Sequence, residues 1–351
     1  MIKKHCGKIG FMKFIFCLTI LAQHTNSKFV GERFNFVAGG AAVEFFFIVS
    51  GYLFCKKYVN YNKDEEIGET TLNFLCNRIK HFLPYLIFTF ILALPFLIFT
   101  FKYTPQKFIY IIYTLLYIPV KGAHQDLIFQ IFWYISAMII AETILLPILL
   151  KYRRNFIKGV SPILTLLLMN YILIKFGNFA SPWSISLIGY KGVIRAIAFI
   201  NLGMFLYALH ERFEKVKYTK FSKFLLYLLE NLGYISILFI MNKSEAHNSY
   251  SVIMLILFSI CMLISFSGKL KINDMFDNNF FYKLEALSLP LYVNQFLILC
   301  TLQKYYPKLN YGTAFFTTLG ISIILGLVEL WILKLYDKNA NKMKRLFIEK
   351  N

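Results

Sequence analysis

The chain has 351 residues, of which 58% are hydrophobic and only 16% are charged, and its formal net charge is +20. A soluble protein would carry about a quarter charged residues, so the composition excludes an ordinary soluble enzyme and indicates an integral membrane protein. The basic residues fall in short segments between apolar runs, where membrane orientation and contact with anionic lipid headgroups account for them. Membrane lipids are therefore expected partners, and no nucleic acid is expected.

Ten apolar segments have about the length that a helix needs to cross a bilayer. In chain order they cover residues 10–28, 36–55, 82–101, 131–150, 160–176, 193–209, 224–241, 251–267, 287–303 and 313–335. A further apolar run, 108–120, is too short to cross and predicts a short re-entrant or interfacial helix. The sequence therefore predicts an all-α, polytopic integral membrane protein with about 10 transmembrane helices. We expect a single domain over 1–351 that ends in a basic cytoplasmic tail, 336–351.

The distribution of Lys and Arg predicts the orientation. If both termini are cytoplasmic and 108–120 does not cross, 26 basic residues face the cytoplasm and 10 face outward, as the positive-inside rule requires. A crossing at 108–120 would place the basic loop 151–158 outside.

The six cysteines show no CxxC or zinc-site spacing, so we expect apolar packing residues and no metal site. No Walker loop, GxGxxG motif or internal repeat is present.

Ionisable residues inside the first predicted span point to a function, because such residues are costly in a membrane. Lys13 and His24 are eleven residues apart, which places them on one helix face about 16 Å apart. Lys13 lies near the predicted inner surface and His24 near the outer one. Lys13 could simply extend to the headgroups, and His24 could be an inert, hydrogen-bonded interfacial residue. An imidazole also suits acid–base chemistry.

The second span holds Glu44, about 12 Å below the outer surface and within reach of His24. A carboxylate that accepts from one imidazole nitrogen raises the basicity of the other, so we expect Glu44 to orient His24. A neutral Glu44 bonded to a neighbouring helix is the alternative. The small residues Ser50 and Gly51 would allow the close approach of either another helix or a long, thin ligand.

The third span begins with Arg78 and His81 before Pro84. Basic side chains ahead of a proline-initiated helix predict a phosphate site at the helix N-terminus, although positive-inside bias also explains such a cluster. Arg195, in the sixth span, is another embedded arginine, and Gln295 adds polarity to the ninth.

These residues, in this order, resemble the membrane acyltransferase type 3 family, which includes many bacterial O-acetyltransferases of surface polysaccharides. The segments that carry the resemblance are KFIFCLTILAQH (13–24), EFFFIVSGY (44–52), Arg78 to Tyr85, Trp133 to Ser136, GVIRAIAFINLGMFLY (192–207) and SLPLYVNQ (288–295). Lys13 stands where arginine is commoner, Glu44 replaces aspartate, His81 replaces an arginine, and Gln295 stands where the family often has histidine.

The resemblance implies transfer of an acyl group, by default from acetyl-CoA, to a hydroxyl of a cell-surface or lipid-linked glycan in the bacterial plasma membrane. His24 would act as base or as covalent acyl carrier, with Glu44 as the second catalytic residue. The donor would be held by Lys13, Ser50, Arg78, His81 and Arg195. A transporter or exporter of a glycan or small molecule is the main alternative, and a catalytically silent membrane scaffold is another.

Overall fold

The computed structural model of the chain describes residues 6–29, 36–61, 66–100, 104–105, 109, 113, 130–243 and 250–348. Ten α-helices lie within these residues, and each predicted span falls on one of them. They are α1 (Gly7–Lys28), α2 (Ala42–Tyr58), α3 (Ile67–Pro95), α4 (Trp133–Asn155), α5 (Ser161–Phe176), α6 (Lys191–Phe213), α7 (Lys220–Lys243), α8 (Tyr250–Ser267), α9 (Asn279–Tyr305) and α10 (Tyr311–Ile348).

Seven helical segments of the described residues are long and apolar enough to cross a bilayer. Helices α4 and α5 count among them as one segment, Trp133–Phe176. Helices α1 and α8 are not among the seven, and α8 falls short on length, with an apolar stretch of Ser251–Ser267. The protein is therefore a nearly all-helical chain with several candidate membrane spans, while the number of ten and the cytoplasmic placement of the termini stay predictions.

Helices α4 and α5 run in opposite directions, although only a helical turn at 156–160 separates them. Arg153, with a positive φ of 46°, breaks the regular helix there. Helix α4 lies parallel to α6, and α5 lies antiparallel to it. Four residue pairs define this arrangement: Trp133 with Arg195, Arg154 with Glu211, Ser161 with Asn201, and Thr165 with Ala198. The chain therefore reverses direction between α4 and α5, as expected if 131–150 and 160–176 are two separate spans.

The bundle has two ends, which we name the Lys13 end and the His24 end. Helix α3 runs from the Lys13 end towards the His24 end, since Arg78 lies beside Ser50 and Glu142 whereas Thr89 bonds Asn294. Helix α4 begins at the His24 end. The chain thus leaves α3 and enters α4 at one end of the bundle. The predicted helix at 108–120 lies outside the described residues, apart from Ile109 and Tyr113.

The start of α3 corrects one prediction. Helix α3 begins at Ile67, and Pro84 lies inside it. A proline inside a helix removes one hydrogen bond and crowds the preceding turn, but α3 continues through Pro84. Arg78 and His81 therefore lie within a helix rather than ahead of a helix N-terminus, and the predicted phosphate site at such a terminus is wrong.

The segment between α5 and α6 is the one described departure from an all-α fold. Helix α5 ends at Gly177 in the left-handed conformation, a common way to stop a helix. A hairpin of two short strands follows, Ile185–Ser186 paired with Gly189–Tyr190. Gly189 has φ 123°, which only glycine adopts readily.

Helices α2 and α6 make a backbone contact through two glycines. A Cβ atom on Gly51 would overlap the carbonyl oxygen of Ile200, and one on Gly203 would overlap that of Ile48. Small residues let two membrane helices approach closely. This contact fixes the register of α2 against α6, and so places Glu44 opposite Arg195.

We expect Gly51→Ala and Gly203→Ala each to destabilise the fold by about 1–3 kcal/mol, because an added methyl group must push two backbones apart. The free energy of unfolding in detergent micelles would measure this. Gly320→Ala in α10 is the matched control, since a Cβ there meets nothing within 4 Å. Equal stability of all three variants would contradict the role of the glycines.

Candidate active site

All seven residues that the sequence predicts for the site line one of two adjoining cavities. The His24 cavity, of about 150 Å³, is lined by His24, Glu44 and Arg195. The Arg78 cavity, of about 530 Å³, is lined by Lys13, Ser50, Arg78 and His81. Tertiary structure thus gathers residues that lie up to 182 positions apart in sequence, from Lys13 to Arg195.

His24 lies near the end of α1 and is half-buried in the cavity wall. Its ring meets the edge of Phe296 at a centroid distance of 5.3 Å. Its Nδ1 atom is buried without a hydrogen-bond partner among the described residues. The imidazole is therefore held by packing, and this nitrogen is not committed to another side chain.

Glu44 pairs with Arg195 and not with His24, which corrects the expected orientation of the imidazole by Glu44. The Arg195 guanidinium donates to Glu44 Oε1, and the two side chains are only 4% and 5% exposed. A guanidinium in the membrane interior needs a countercharge more than a neutral imidazole does. Glu44 still lines the same cavity as His24.

Arg195 lies in the His24 cavity, away from the other predicted donor-binding residues. Its guanidinium stacks 5.2 Å from the Trp133 ring, and its Nε is buried without a hydrogen-bond partner in the described part of the chain. Trp133 is thus a cavity-wall residue and not merely an interfacial one. The position of Arg195 suits contact with a reacting group beside His24 better than contact with a nucleotide phosphate.

The segment after α5 closes one wall of the His24 cavity. Lys191 is 1% exposed, and its ammonium group donates to Asn178 Oδ1 at 3.0 Å and to the carbonyl of Ala180. The Gly192 amide donates to the Pro182 carbonyl at 3.0 Å. Lys191 therefore has a structural role. Its contacts, together with that of the Gly192 amide, fix Ala180 and Pro182 in the cavity wall.

Glu142 is a residue that the sequence reasoning missed. It lies fully buried on α4 and accepts from the Ser50 hydroxyl at 2.6 Å and from the Arg78 guanidinium at 2.9 Å. The signal was present, because Glu142 is an acidic residue in an apolar run just as His24 is a basic one. Glu142 therefore neutralises Arg78 and fixes Ser50 at the wall of the Arg78 cavity.

The rest of the Arg78 cavity combines further basic groups with apolar walls. Lys13 pairs with Glu285 at 2.7 Å. Lys57 and His81 are exposed residues of the lining. Lys57 therefore adds an unpaired positive charge to the described lining at the Lys13 end of the bundle, next to apolar side chains such as Phe46 and Leu289.

Two residues, Val43 and Tyr292, line both cavities. The Tyr292 hydroxyl donates to the Ile131 carbonyl at 2.6 Å. Gln295, one turn further on, is buried and donates to the Tyr292 carbonyl at 3.2 Å. The position where the family often has histidine thus supports the helix that carries Tyr292, and Gln295 lines neither cavity.

We expect Glu44→Ala to cost about 3–5 kcal/mol of stability, because it leaves the buried Arg195 guanidinium without a countercharge. The double variant Glu44→Ala/Arg195→Ala should lose less than the sum of the two single variants. Reversible denaturation in micelles would give the coupling free energy. Glu211→Ala is the control, since its ion pair with the 48% exposed Arg154 side chain should contribute about 1 kcal/mol at most. Equal losses in Glu44→Ala and Glu211→Ala would contradict the structural role of the buried pair.

The comparisons with known proteins identify the family of the chain. A family model described as an acyltransferase domain matches residues 7–332. No match was found among curated proteins or among solved structures. The match covers every residue of both cavities, and the chain belongs to the membrane acyltransferase type 3 family.

Proposed function

We propose that the protein is a membrane O-acetyltransferase of the bacterial plasma membrane, which moves the acetyl group of acetyl-CoA to a hydroxyl of a cell-surface or lipid-linked glycan. The observation that carries this proposal is the pair of adjoining cavities, one basic and one containing His24. An acyl-CoA needs cations for its phosphates and a narrow apolar path for its arm. A transfer reaction also needs a base at the end of that path.

The Arg78 cavity is the proposed donor site. Lys57 and His81 are the basic side chains best placed for phosphates, since Lys13 and Arg78 already pair with Glu285 and Glu142. Its apolar walls suit the pantetheine arm, which would extend towards Val43 and Tyr292. The positive-inside rule predicts that this end of the bundle faces the cytoplasm, where acyl-CoA is made.

The His24 cavity is the proposed reaction site. The acceptor oxygen forms a bond to the acetyl carbonyl carbon, and the bond from that carbon to the CoA sulfur breaks. His24 takes the hydroxyl proton and passes it to the departing thiolate, so the products are an ester and CoA with a free thiol. The Arg195 guanidinium is suited to stabilise negative charge on the carbonyl oxygen.

Direct transfer is favoured over a covalent acyl-histidine. The two cavities adjoin at Val43 and Tyr292, so a thioester held in one can meet a hydroxyl held in the other. Direct transfer needs one chemical step, whereas a carrier needs two. The position of Glu44 supports an indirect role for it, as the residue that holds Arg195.

We expect His24→Gln to lower the rate of acetyl transfer by about 10²–10⁴-fold, because the substitution removes the general base and keeps a polar side chain. Membranes that contain the protein, supplied with labelled acetyl-CoA, would report transfer to the glycan fraction. His210→Gln is the control: His210 is a buried histidine that pairs with Glu214 at 3.1 Å and lines neither of the two cavities. Full activity of His24→Gln would refute the assignment of the base. Substrate efflux without thioester cleavage would support an exporter instead.

We expect Lys57→Gln to raise the KM for acetyl-CoA about tenfold with little change in kcat, because a charged hydrogen bond to phosphate contributes about 1.5 kcal/mol. The KM for acetylpantetheine, a donor without the nucleotide phosphates, should not change. Lys151→Gln is the control, since Lys151 is also an exposed lysine stacked near a tyrosine but lines a different cavity. An equal rise in KM for both donors would argue against phosphate contact.

A further inference from the structure

The boundary between the two cavities is formed by two side chains from different helices. Val43 lies on α2 and Tyr292 on α9, and each lines both cavities. They are only 6% and 7% exposed. A group that passes from the Arg78 cavity to the His24 cavity is therefore expected to pass beside them.

Tyr292 is held firmly on both sides of this boundary. Its hydroxyl donates to the carbonyl of Ile131, a residue of the His24 cavity wall, at 2.6 Å. Its ring meets the Tyr134 ring, part of the Arg78 cavity wall, edge-on at 5.8 Å. A buried side chain with both a hydrogen bond and aromatic packing does not swing aside readily.

Val43 is fixed by its neighbour in sequence. Glu44, the next residue, is locked to Arg195, and the α2 backbone is pressed against α6 at Gly51. The β-branched valine itself has little rotational freedom in a helix. Val43 and Tyr292 are therefore both carried by packed helices rather than by flexible loops.

We propose that Val43 and Tyr292 form the constriction that receives the acyl end of the thioester and restricts the donor to a short acyl group, with acetyl preferred over longer chains. The inference rests on the proposed acyltransferase function and names its donor specificity. The thioester carbonyl would lie beside Glu44 and Arg195 with its methyl group against Val43 and Tyr292, while the pantetheine arm stays in the Arg78 cavity. Each further methylene would have to enter space that Val43 and Tyr292 occupy.

The test measures transfer from acetyl-CoA, propionyl-CoA and butyryl-CoA, each with a labelled acyl group, in membranes that contain the full-length protein. Val43→Ala removes two methyl groups from the constriction and should raise the butyryl-to-acetyl rate ratio by about 10-fold or more, the scale on which apolar pockets discriminate a methylene. Val43→Ile adds a methylene and should lower the transfer of propionyl more than that of acetyl. Tyr292→Phe, which loses only the bond to Ile131, should relax the preference less than Val43→Ala.

Val293→Ala is the matched control for Val43→Ala. Val293 is a 1% exposed valine on α9 that lines neither cavity, so its truncation should leave the acyl preference unchanged. An unchanged preference in both Val43→Ala and Val43→Ile, with acetyl transfer retained, would overturn the constriction and leave the proposed function standing. Failure of the wild-type protein to transfer any acyl group from acyl-CoA would instead overturn the proposed function. Because the two Val43 variants change the preference in opposite directions, a folding defect in one does not remove the test.

Discussion

The buried ion pair between Glu44 and Arg195 is the constraint around which the site is organised. Two charged side chains in an apolar bundle are tolerated only when each neutralises the other. The pairing becomes possible because Gly51 and Gly203 let α2 and α6 touch along their backbones. The close packing of α2 against α6 and the pairing of Glu44 with Arg195 therefore depend on each other.

A second arginine–glutamate pair acts in the same way nearer the Lys13 end of the bundle. Glu142 on α4 neutralises Arg78 on α3 and binds Ser50 on α2, so one buried carboxylate ties three helices together. The two arginine–glutamate pairs lie at the two cavities. Each pair offsets part of the cost of a buried cation, and each arginine lines a cavity.

The His24 side chain follows a different rule. Its imidazole is packed against Phe296, and Nδ1 has no hydrogen-bond partner in the described part of the chain. A neutral imidazole can be buried at much lower cost than a guanidinium, and so it can keep its polar atoms for a ligand. This difference explains why Glu44 pairs with Arg195, although sequence spacing alone favoured His24 as the partner of Glu44.

The sequence by itself determined that the chain is nearly all helical, and it pointed to the residues of the candidate site. Each of its ten long apolar segments falls on one of the ten described helices, because an apolar run of about that length favours a helix that could span a bilayer. Its isolated polar residues identified His24, Glu44, Arg78 and Arg195 because such residues are rare in apolar helices. The same rule would have found Glu142, had it been applied to α4. The start of α3 was not predicted, because Pro84 resembles a helix boundary although a helix can continue through a proline.

Only the tertiary structure decided which charged groups are partners and how the site divides into two cavities. Helix periodicity gives the face on which a residue lies, but it says nothing about which other helix that face meets. The partners of Glu44 and Arg78 depend on the close approach of α2 to α6 and of α3 to α4. The boundary at Val43 and Tyr292 is formed by two ordinary residues from opposite parts of the chain. Neither residue carries a distinctive sequence signal, because its role depends on its position at the boundary of the two cavities in the folded chain.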